Sequence, residues 1–484
     1  MSRRKLLVAL ATLALASAVL ADGADAQVPP GFSNRPTFTA DGLANVVFMG
    51  GTVDQLELAA AIAGASGVWA QDSAGAFQVL VVRGPAFLKD AFKARLPGSL
   101  GPTAVTLTAG PSARTLRALA DRTGFLIGSV IRFVGDRTNE SSNLTLAREF
   151  NYVTVFPGTP NLHTARGTFS PTVFARRDAE VAFAKTHGLK VMVTPLIWDK
   201  LGGLAEPAGG NKDPDTAAWM KFNQPDCGGW SAAELDQIMK EWIQTYVSRF
   251  KGSVAAYVVV NEPFKRTREP GGTAPLQEQY LRPGLYTPSD LKDSCWKKIL
   301  GEGYIAKAFT YAHEADPDAV LIMNDSFNSI RGSDRIMQDK FMELARKLKA
   351  QGVPIHAVGT QMHLDASTNR AGLPGLPPTY LQDFRDLLQK AREIGVDVQV
   401  TEMDVYLPPG RLLNPAQELK DIYKGVLSTC LQFANCTAVT VFGVSDRFDS
   451  EVRDAHPEAA PLLFDANYQP KPAYHGVTEA LKRE

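Results

Sequence analysis

Two glutamates stand at the ends of apolar runs, where their side chains could take part in chemistry. The run 258–260 leads into Asn261-Glu262, and the run 398–400 leads through one threonine into Glu402. Runs of β-branched residues are typical of buried strands, whose last residues can point into a site. For one such glutamate alone, an ion pair with a lysine or arginine is the simpler interpretation. Two together can break a glycosidic bond, because one carboxyl protonates the leaving oxygen while the other attacks the sugar carbon.

From residue 112 onward, short apolar runs alternate with helical stretches. The runs predict eight strands, at Ile127–Phe133, Tyr152–Phe156, Val191–Trp198, Val254–Val260, Val320–Met323, Ala357–His363, Val396–Val400 and Ala438–Val444. The clearest helical stretches are Thr172–His187, Ser231–Phe250, Asp334–Ala350, Leu381–Ile394 and Ala416–Leu431. This alternation predicts an α/β fold, a (β/α)8 TIM barrel, in which chemistry takes place at the carboxyl ends of the strands.

Other polar and aromatic residues fall at the same strand ends. Gln361 and His363 end the sixth run, Trp198 ends the third, and Asp404 follows Glu402 by two residues. The fourth and seventh strands face each other across a small barrel, so we expect their carboxylates to approach to roughly 5 to 5.5 Å. We also expect His363 to hold Glu402 and Asp404 to hold the histidine.

With these residues the chain resembles glycoside hydrolase family 10, whose best-known members are endo-β-1,4-xylanases. The resemblance covers roughly residues 112–484 and includes Glu149–Thr154, Ala184–Gly188, Asn324–Asp325, Val441–Asp446, Leu462–Asp465 and Pro472–Tyr474. It implies that Glu262 is the acid/base and Glu402 the nucleophile. It also favours Trp198 as a sugar-stacking or wall residue, with packing in the core as the alternative. It further implies that Asn261 binds the sugar 2-hydroxyl, and that Gln361 and His363 tune and orient the carboxylates. No cofactor and no metal are expected.

The chain departs from the family where sugars are bound. The segment Phe156–Pro160 stands in place of a Glu-Asn pair and a lysine, and Thr194 and Asp199 stand where the family has histidines. Phe442 replaces a tryptophan and is kept as a substrate-binding candidate beside Trp198. Each hydrogen-bond partner lost from a buried sugar site costs roughly 1 to 3 kcal/mol, so these changes are expected to alter what is bound.

Charge and cysteine content narrow the class of protein. The 484 residues include 51 basic and 51 acidic side chains, so the formal net charge at pH 7 is zero. A chain without excess positive charge is not expected to bind nucleic acid or an anionic membrane. Four cysteines suit an oxidising compartment and match no zinc spacing. We prefer the disulfides Cys227 to Cys295 and Cys430 to Cys436, with free buried thiols as the alternative. The resemblance adds that a bridge at the position of Cys430 and Cys436 is common in the family.

The N-terminus has the features of an export signal. Residues 1–26 combine basic residues, an apolar run and small residues before Gln27, so we predict a signal peptide and a secreted or periplasmic protein. The arginines at positions 3 and 4 leave the twin-arginine route open. Residues 38–110, with a strand-like run at 76–82, are predicted to form a small accessory domain of unknown role. Residues 112–484 are predicted to form the catalytic domain.

The leading interpretation is an exported, monomeric, retaining β-glycoside hydrolase that cleaves plant cell-wall xylan in the endo-β-1,4-xylanase manner. Its partner would be a polysaccharide or oligosaccharide, with no nucleic acid, and no membrane after signal removal. Two alternatives stay open. The enzyme could act on a different β-glycan or an aryl β-glycoside, or the chain could be a carbohydrate-binding protein with little turnover.

Overall fold

The computed structural model describes residues 115–132, 140–198, 218–222, 224–265, 286–326, 335–366, 376, 379–408, 410, 414–447 and 459–482. Four strands nearer the N-terminus are described by their backbone. The predicted signal peptide, residues 1–26, lies outside these ranges, as does Asp199. The chain divides into two compact units, and the site described below belongs to the unit made of Ala120–Ser142 and Phe150–Glu484.

The four N-terminal strands form an antiparallel sheet. They are β1 (Ala44–Met49), β2 (Ser66–Gln71), β3 (Phe77–Gly84) and β4 (Val105–Thr108), in the order β2-β3-β1-β4. The strand-like run at 76–82 corresponds to β3. The boundaries and the role of the accessory domain at 38–110 stay predictions.

The rest of the chain alternates strands and helices. In order these are α1 (Leu116–Asp121), β5 (Leu126–Val130), α2 (Glu140–Glu149), β6 (Tyr152–Val155), α3 (Thr159–Leu162), β7 (His163–Ala165), β8 (Thr168–Phe169), α4 (Pro171–Thr186), β9 (Lys190–Val193), α5 (Ala232–Arg249) and β10 (Ala256–Asn261). They continue with α6 (Cys295–Leu300), α7 (Tyr304–Ala315), β11 (Val320–Asp325), α8 (Arg335–Ala350), β12 (Ala357–Thr360), β13 (His363–Asp365), α9 (Tyr380–Ile394), β14 (Asp397–Tyr406), α10 (Pro415–Cys430), β15 (Cys436–Val441) and α11 (Pro472–Leu481).

Eight of these strands close into a parallel barrel. The strands β5, β6, β9, β10, β11 and β12 follow one another around the sheet, and β14 and β15 complete the ring by pairing with β12 and β5. β13 adds to the end of β14, where His363 pairs with Asp404. The predicted α/β fold, a (β/α)8 TIM barrel, is confirmed, and β10, β12 and β14 are its fourth, sixth and seventh strands.

The inside of the barrel is filled with side chains. One buried cluster takes seven residues from six barrel strands: Tyr152, Met192, Ala256, Val258, Ile322, Ala357 and Ala438. The hydroxyl of Tyr152 crosses the interior and donates to Oε1 of Gln399 at 3.1 Å. Gly128 makes room for this ring, because a Cβ there would lie 3.2 Å from Tyr152 and 2.8 Å from Thr440 Oγ1. A packed interior of this kind fixes the strand ends above it.

The helix ends follow the signals in the sequence. Ser170 caps α4 by accepting from Val173 N, with Pro171 in the first turn. Ser231 and Glu234 form a capping box at the start of α5. At the end of α9, Gly395 takes φ +71°, which a residue without Cβ adopts at little cost. The two serine caps fix where α4 and α5 begin, and Gly395 fixes where α9 ends and the chain returns to the barrel.

Candidate active site

The end of β10 presents the first glutamate. All six residues of β10 are buried, and Asn261 pairs with Asn324 of the neighbouring strand β11. Glu262 follows directly, and its backbone N–H donates to the carbonyl of Asn324 at 2.8 Å. Its φ is +48°, in the left-handed region that side chains other than glycine seldom adopt. Strained backbone of this kind persists where the surroundings hold it and is frequent at functional sites.

The second glutamate lies within the long strand β14. The pairing of β14 with β15 slips between Val400 and Met403, so Glu402 sits at an irregularity of the ladder. Such irregularities re-aim side chains at the rims of barrels. The N–H of Glu402 donates to the carbonyl of Gln361 at 3.1 Å. Both Glu262 and Glu402 are buried, and each is anchored by its backbone to the next strand.

Three amide side chains connect the two glutamates. Gln361 Nε2 donates to Glu262 Oε1 at 2.9 Å, and Asn324 Nδ2 donates to Glu402 Oε1 at 2.9 Å. The same Asn324 nitrogen donates to Asn261 Oδ1 at 2.8 Å, and Gln361 Nε2 approaches that oxygen at 3.5 Å. The two carboxylates therefore belong to one hydrogen-bonded group, as the sequence predicts for Glu262, Glu402, Asn261 and Gln361.

Asn324 is the centre of this group, and nearby residues fix its orientation. Its side-chain oxygen accepts from Thr401 Oγ1 at 2.8 Å, so the nitrogen faces Asn261 and Glu402. Gly359 on β12 leaves the space, because a Cβ there would lie 2.1 Å from Asn324 Oδ1. Asn324 was not predicted as a site residue. The signal available in the sequence was its place directly after the strand predicted at Val320–Met323.

His363 lies between two carboxylates. Its Nδ1 is 2.8 Å from Asp404 Oδ1, and its Nε2 is 3.3 Å from Glu402 Oε2. All three side chains are buried. An ionised Asp404 can only accept, which places a proton on Nδ1 and fixes the ring facing Glu402. The predicted order Asp404, His363, Glu402 is thus the order of contacts in the structure.

Glu262 also has a cationic neighbour. Lys292 Nζ lies 3.2 Å from Glu262 Oε2, and the side chain of Lys292 is 23% exposed. Its backbone N–H donates to the carbonyl of Pro263 at 2.8 Å, which holds the lysine beside the end of β10. Glu262 thus forms an ion pair in addition to its contact with Gln361. Lys292 was not predicted as a site residue, because it lies in a connecting segment without strand or helix periodicity.

Asp325 is a third acidic residue in this region. It is fully buried at the end of β11 and accepts from Phe264 N at 3.1 Å and from Ser326 N at 2.7 Å. Burial raises the pKa of Asp325 to about 7; the positive Lys292 opposes this rise, and the negative Glu262 adds to it. A carboxyl with this pKa changes charge near neutral pH, and the charge of Glu262 is among the influences on it.

The two aromatic candidates differ in their contacts. Phe442 lies edge to face against His363, with ring centroids 5.2 Å apart, and so borders the nucleophile candidate Glu402. Trp198 follows the bridge between Ile197 and Val260, is half-buried, and accepts at its carbonyl from Trp296 Nε1 at 3.4 Å. Phe442 is thus brought to the site, whereas a sugar-stacking role for Trp198 stays a prediction.

All four cysteines are paired. Cys227 is bonded to Cys295 and Cys430 to Cys436, which confirms the preferred pairing and excludes free thiols. The first bridge fastens the segment after β9 to the start of α6, three residues after Lys292. The second closes the short turn between α10 and β15.

Among the residues that the structure describes, no cluster of three or more histidine, cysteine, aspartate or glutamate side chains could bind a metal ion. No helix in the described part of the chain is long and apolar enough to span a membrane.

The chain is similar to proteins of known activity. It is 27% identical over 343 residues to endo-1,4-beta-xylanase B of Thermotoga neapolitana, a match that covers 70% of this chain and 82% of that protein. It is 31% identical over 329 residues to beta-1,4-xylanase of Dictyoglomus thermophilum, covering 63% and 75%. The crystal structure of xylanase 10B from Thermotoga petrophila RKU-1 in complex with xylobiose aligns with a TM-score of 0.59 and 27% identity, covering 76% of this chain and 97% of that one.

The match to a whole family agrees with these relatives. Residues 115–480 match glycosyl hydrolase family 10, and this range holds all eight barrel strands and every side chain of the site. The chain therefore belongs to glycosyl hydrolase family 10.

Proposed function

We propose that this protein is a retaining endo-β-1,4-xylanase, with Glu262 as the acid/base and Glu402 as the nucleophile. The observation that carries the proposal is the separate support of the two carboxylates. Glu262 accepts from Gln361, whereas Glu402 accepts from Asn324 and contacts His363. Each glutamate is thus held in a fixed position by its own partners, which two different roles require.

In the first step, the carboxylate of Glu402 attacks the anomeric carbon. Glu262 gives its proton to the glycosidic oxygen as the bond from that oxygen to the carbon breaks. The products are a glycosyl ester on Glu402 and a released sugar chain. Lys292 lies 3.2 Å from Glu262 Oε2, where a cation stabilises the carboxylate that remains after proton transfer.

In the second step, Glu262 acts as a base. It takes a proton from a water molecule, whose oxygen attacks the anomeric carbon and displaces the carboxylate of Glu402. Two inversions at one carbon give net retention of configuration. Asn261 is proposed to bind the 2-hydroxyl of the sugar, in a position set by its contact with Asn324 at 2.8 Å.

The proposed substrate is plant cell-wall xylan, and the proposed location is outside the cytoplasm. The relatives named xylanases support the substrate, and one of them was solved with xylobiose. The two disulfides suit an oxidising compartment. We further propose that residues 1–26 direct export and that the enzyme acts as a monomer without a cofactor.

The test is hydrolysis of an aryl β-xyloside and of xylan by the wild type and by Glu402→Ala, with the anomeric configuration of the first product followed by NMR. We expect the wild type to release a product of retained configuration and Glu402→Ala to release none. A product of inverted configuration would exclude the two-step mechanism. Equal inactivity of both proteins would favour a carbohydrate-binding protein, and activity confined to β-glucans or other aryl glycosides would reassign the substrate.

A further inference from the structure

Two phenylalanines form an apolar surface beside the site, called here the aromatic wall. Phe156 follows β6, and Phe442 follows β15; their ring centroids are 6.0 Å apart, and the rings are perpendicular at 89°. Phe156 is 37% exposed, and among the described residues only Leu431, at 36%, is a large apolar side chain of similar exposure. The exposed ring of Phe156 thus continues a surface that reaches the catalytic group.

The aromatic wall lies on the side of Glu402. Phe442 contacts His363 at 5.2 Å between ring centroids, and His363 Nε2 is 3.3 Å from Glu402 Oε2. Glu262 has Lys292 as its neighbour instead. In a retaining reaction the acid faces the leaving group, and the nucleophile holds the sugar that is kept. If the proposed function holds, Phe442 therefore flanks the kept sugar, and Phe156 flanks the next sugar away from the cleaved bond.

The wall is held in place by the protein itself. The buried guanidinium of Arg177 donates to the carbonyl of Phe156 and, through Nη2, to Glu180 Oε1 at 3.0 Å. The N–H of Phe442 donates to the carbonyl of Met403 at 2.9 Å. Both segments are thus fixed before a ligand arrives, so the wall offers a preformed surface.

The chemistry of this surface is selective. A phenyl ring has no hydrogen-bond donor and no strong acceptor, so a sugar hydroxyl pressed against it loses a bond to water without replacement. An oxygen capped by a methyl or acyl group has no proton to donate, and its cap buries apolar surface against the ring. We propose that Phe156 is a specificity-determining residue, selecting β-linked chains in which the sugar beyond the kept one carries O-alkyl or O-acyl groups. This inference rests on the proposed function.

The experiment compares two substrates that differ only in capping. They are 4-nitrophenyl β-xylobioside and the analogue in which the three free hydroxyls of the distal xylose are O-methylated. Each is tested with the wild type, Phe156→Gln and Phe156→Leu. Glutamine and leucine are similar in size, so their comparison isolates hydrogen-bonding capacity. We expect the wild type to hydrolyse the capped substrate with a kcat/KM at least equal to that of the free one. The ratio of kcat/KM on the capped substrate to kcat/KM on the free substrate should stay within about threefold of the wild-type ratio in Phe156→Leu. In Phe156→Gln the same ratio should fall by about tenfold, mainly through KM.

Each other outcome removes the proposal. A wild type that hydrolyses the free substrate with the higher kcat/KM would overturn it, as would equal ratios of capped to free kcat/KM in Phe156→Gln and Phe156→Leu. If all three proteins hydrolyse both substrates with the same ratio of capped to free kcat/KM, this inference is removed and the proposed function stands. Hydrolysis of neither substrate by any of the proteins would remove both.

Discussion

At the scale of single residues, the site depends on neutral amides placed between charged groups. Asn324 and Gln361 donate to different glutamates, and Asn261 accepts from Asn324. Buried acceptors of this kind are costly when their donors are removed, since no water replaces the lost bond. Activity should therefore depend on Asn324, although this residue has no proposed role in proton transfer or in bonding to the sugar.

Asn324→Ala tests this dependence. The change removes the donor to Glu402 Oε1 and to Asn261 Oδ1 together, so kcat/KM on an aryl β-xyloside should fall by about 10- to 100-fold. The control is Thr401→Val, which removes only the hydroxyl that donates to Asn324 and should cost less activity. Equal losses in the two variants would mean that Asn324 acts only as a packing residue.

The buried Asp325 predicts how the free energy of unfolding depends on pH. Its pKa is raised by burial to about 7 from the ordinary value of 3.8, so between these values the folded state binds more proton than the unfolded state. The free energy of unfolding should therefore fall as the pH rises through this window. For Asp325 the fall should be on the order of 2 to 3 kcal/mol between about pH 5 and about pH 8.

Guanidinium unfolding of the wild type and Asp325→Asn at these two pH values measures the effect. The asparagine does not ionise, so the variant should lose less stability on the alkaline side. The same pH dependence in both proteins would show that Asp325 is not the titrating group.

At the scale of elements, the strand ends carry the geometry that the proposed catalytic residues need. Glu262 has a left-handed backbone, as does Met362 between Gln361 and His363, with φ values of +48° and +59°. The ladder between β14 and β15 slips just before Met403, beside Glu402. Regular strands would keep a strict alternation of side chains, so these irregularities help to turn the site residues toward one another.

The two disulfides should differ in their contributions to stability. The bridge from Cys227 to Cys295 spans 68 residues, and the bridge from Cys430 to Cys436 spans 6. Closing a longer loop removes more entropy from the unfolded chain, so the losses should be about 4 kcal/mol and about 2 kcal/mol respectively. Thermal and chemical unfolding of the two paired Cys→Ser variants would measure this. A larger loss at the shorter loop would contradict the loop-entropy account.

The sequence predicts the elements closely where periodicity is strong. The helix predicted at Asp334–Ala350 is Arg335–Ala350, and the strand predicted at Val320–Met323 is Val320–Asp325. The third strand, predicted to reach Trp198, is continuous only to Val193, and pairing with β10 resumes where Leu196 and Ile197 donate to the carbonyls of Val258 and Val259. Pro195 lies between the two parts and has no backbone N–H to donate, an interruption that the apolar pattern does not report.

The site was predictable where its residues come at or just after the ends of the apolar runs that predict the barrel strands. Glu262, Glu402, Gln361 and His363 meet this condition, and the structure brings them together. Lys292 could not be found in this way, because its approach to Glu262 depends on the path of a connecting segment. The wall formed by Phe156 and Phe442 also needed the structure, since it joins the ends of β6 and β15 across the barrel rim.

At the scale of the whole molecule, the closed barrel brings residues distant in sequence to one rim. Pairing of β12 with β14 and of β15 with β5 closes the ring, so Glu262 and Gln361 meet although 99 positions separate them. The fold supplies this placement, and the family match extends over residues 115–480. Function then depends on the side chains at the rim, which include the aromatic wall of Phe156 and Phe442.

Export is the prediction that concerns the full chain. If residues 1–26 form a signal peptide, expression in a bacterial host should release a mature protein that begins near Gln27. Mass measurement of the intact exported protein checks this, with a variant in which Arg3 and Arg4 are replaced by lysine as a test of the twin-arginine route. An active protein that retains residues 1–26 in the cytoplasm would contradict the prediction.

The central claim is that Glu402 becomes covalently bonded to the sugar. The protein is incubated with a 2-deoxy-2-fluoro aryl β-xylobioside. The fluorine slows both steps, but the aryl leaving group keeps the first step faster than the second, so the glycosyl-enzyme should accumulate and be visible by mass spectrometry. The account predicts one added fluoro-xylobiosyl group per chain, located on the peptide that contains Glu402. Turnover of the natural substrate with no such adduct, or an adduct on Glu262 in place of Glu402, would contradict it.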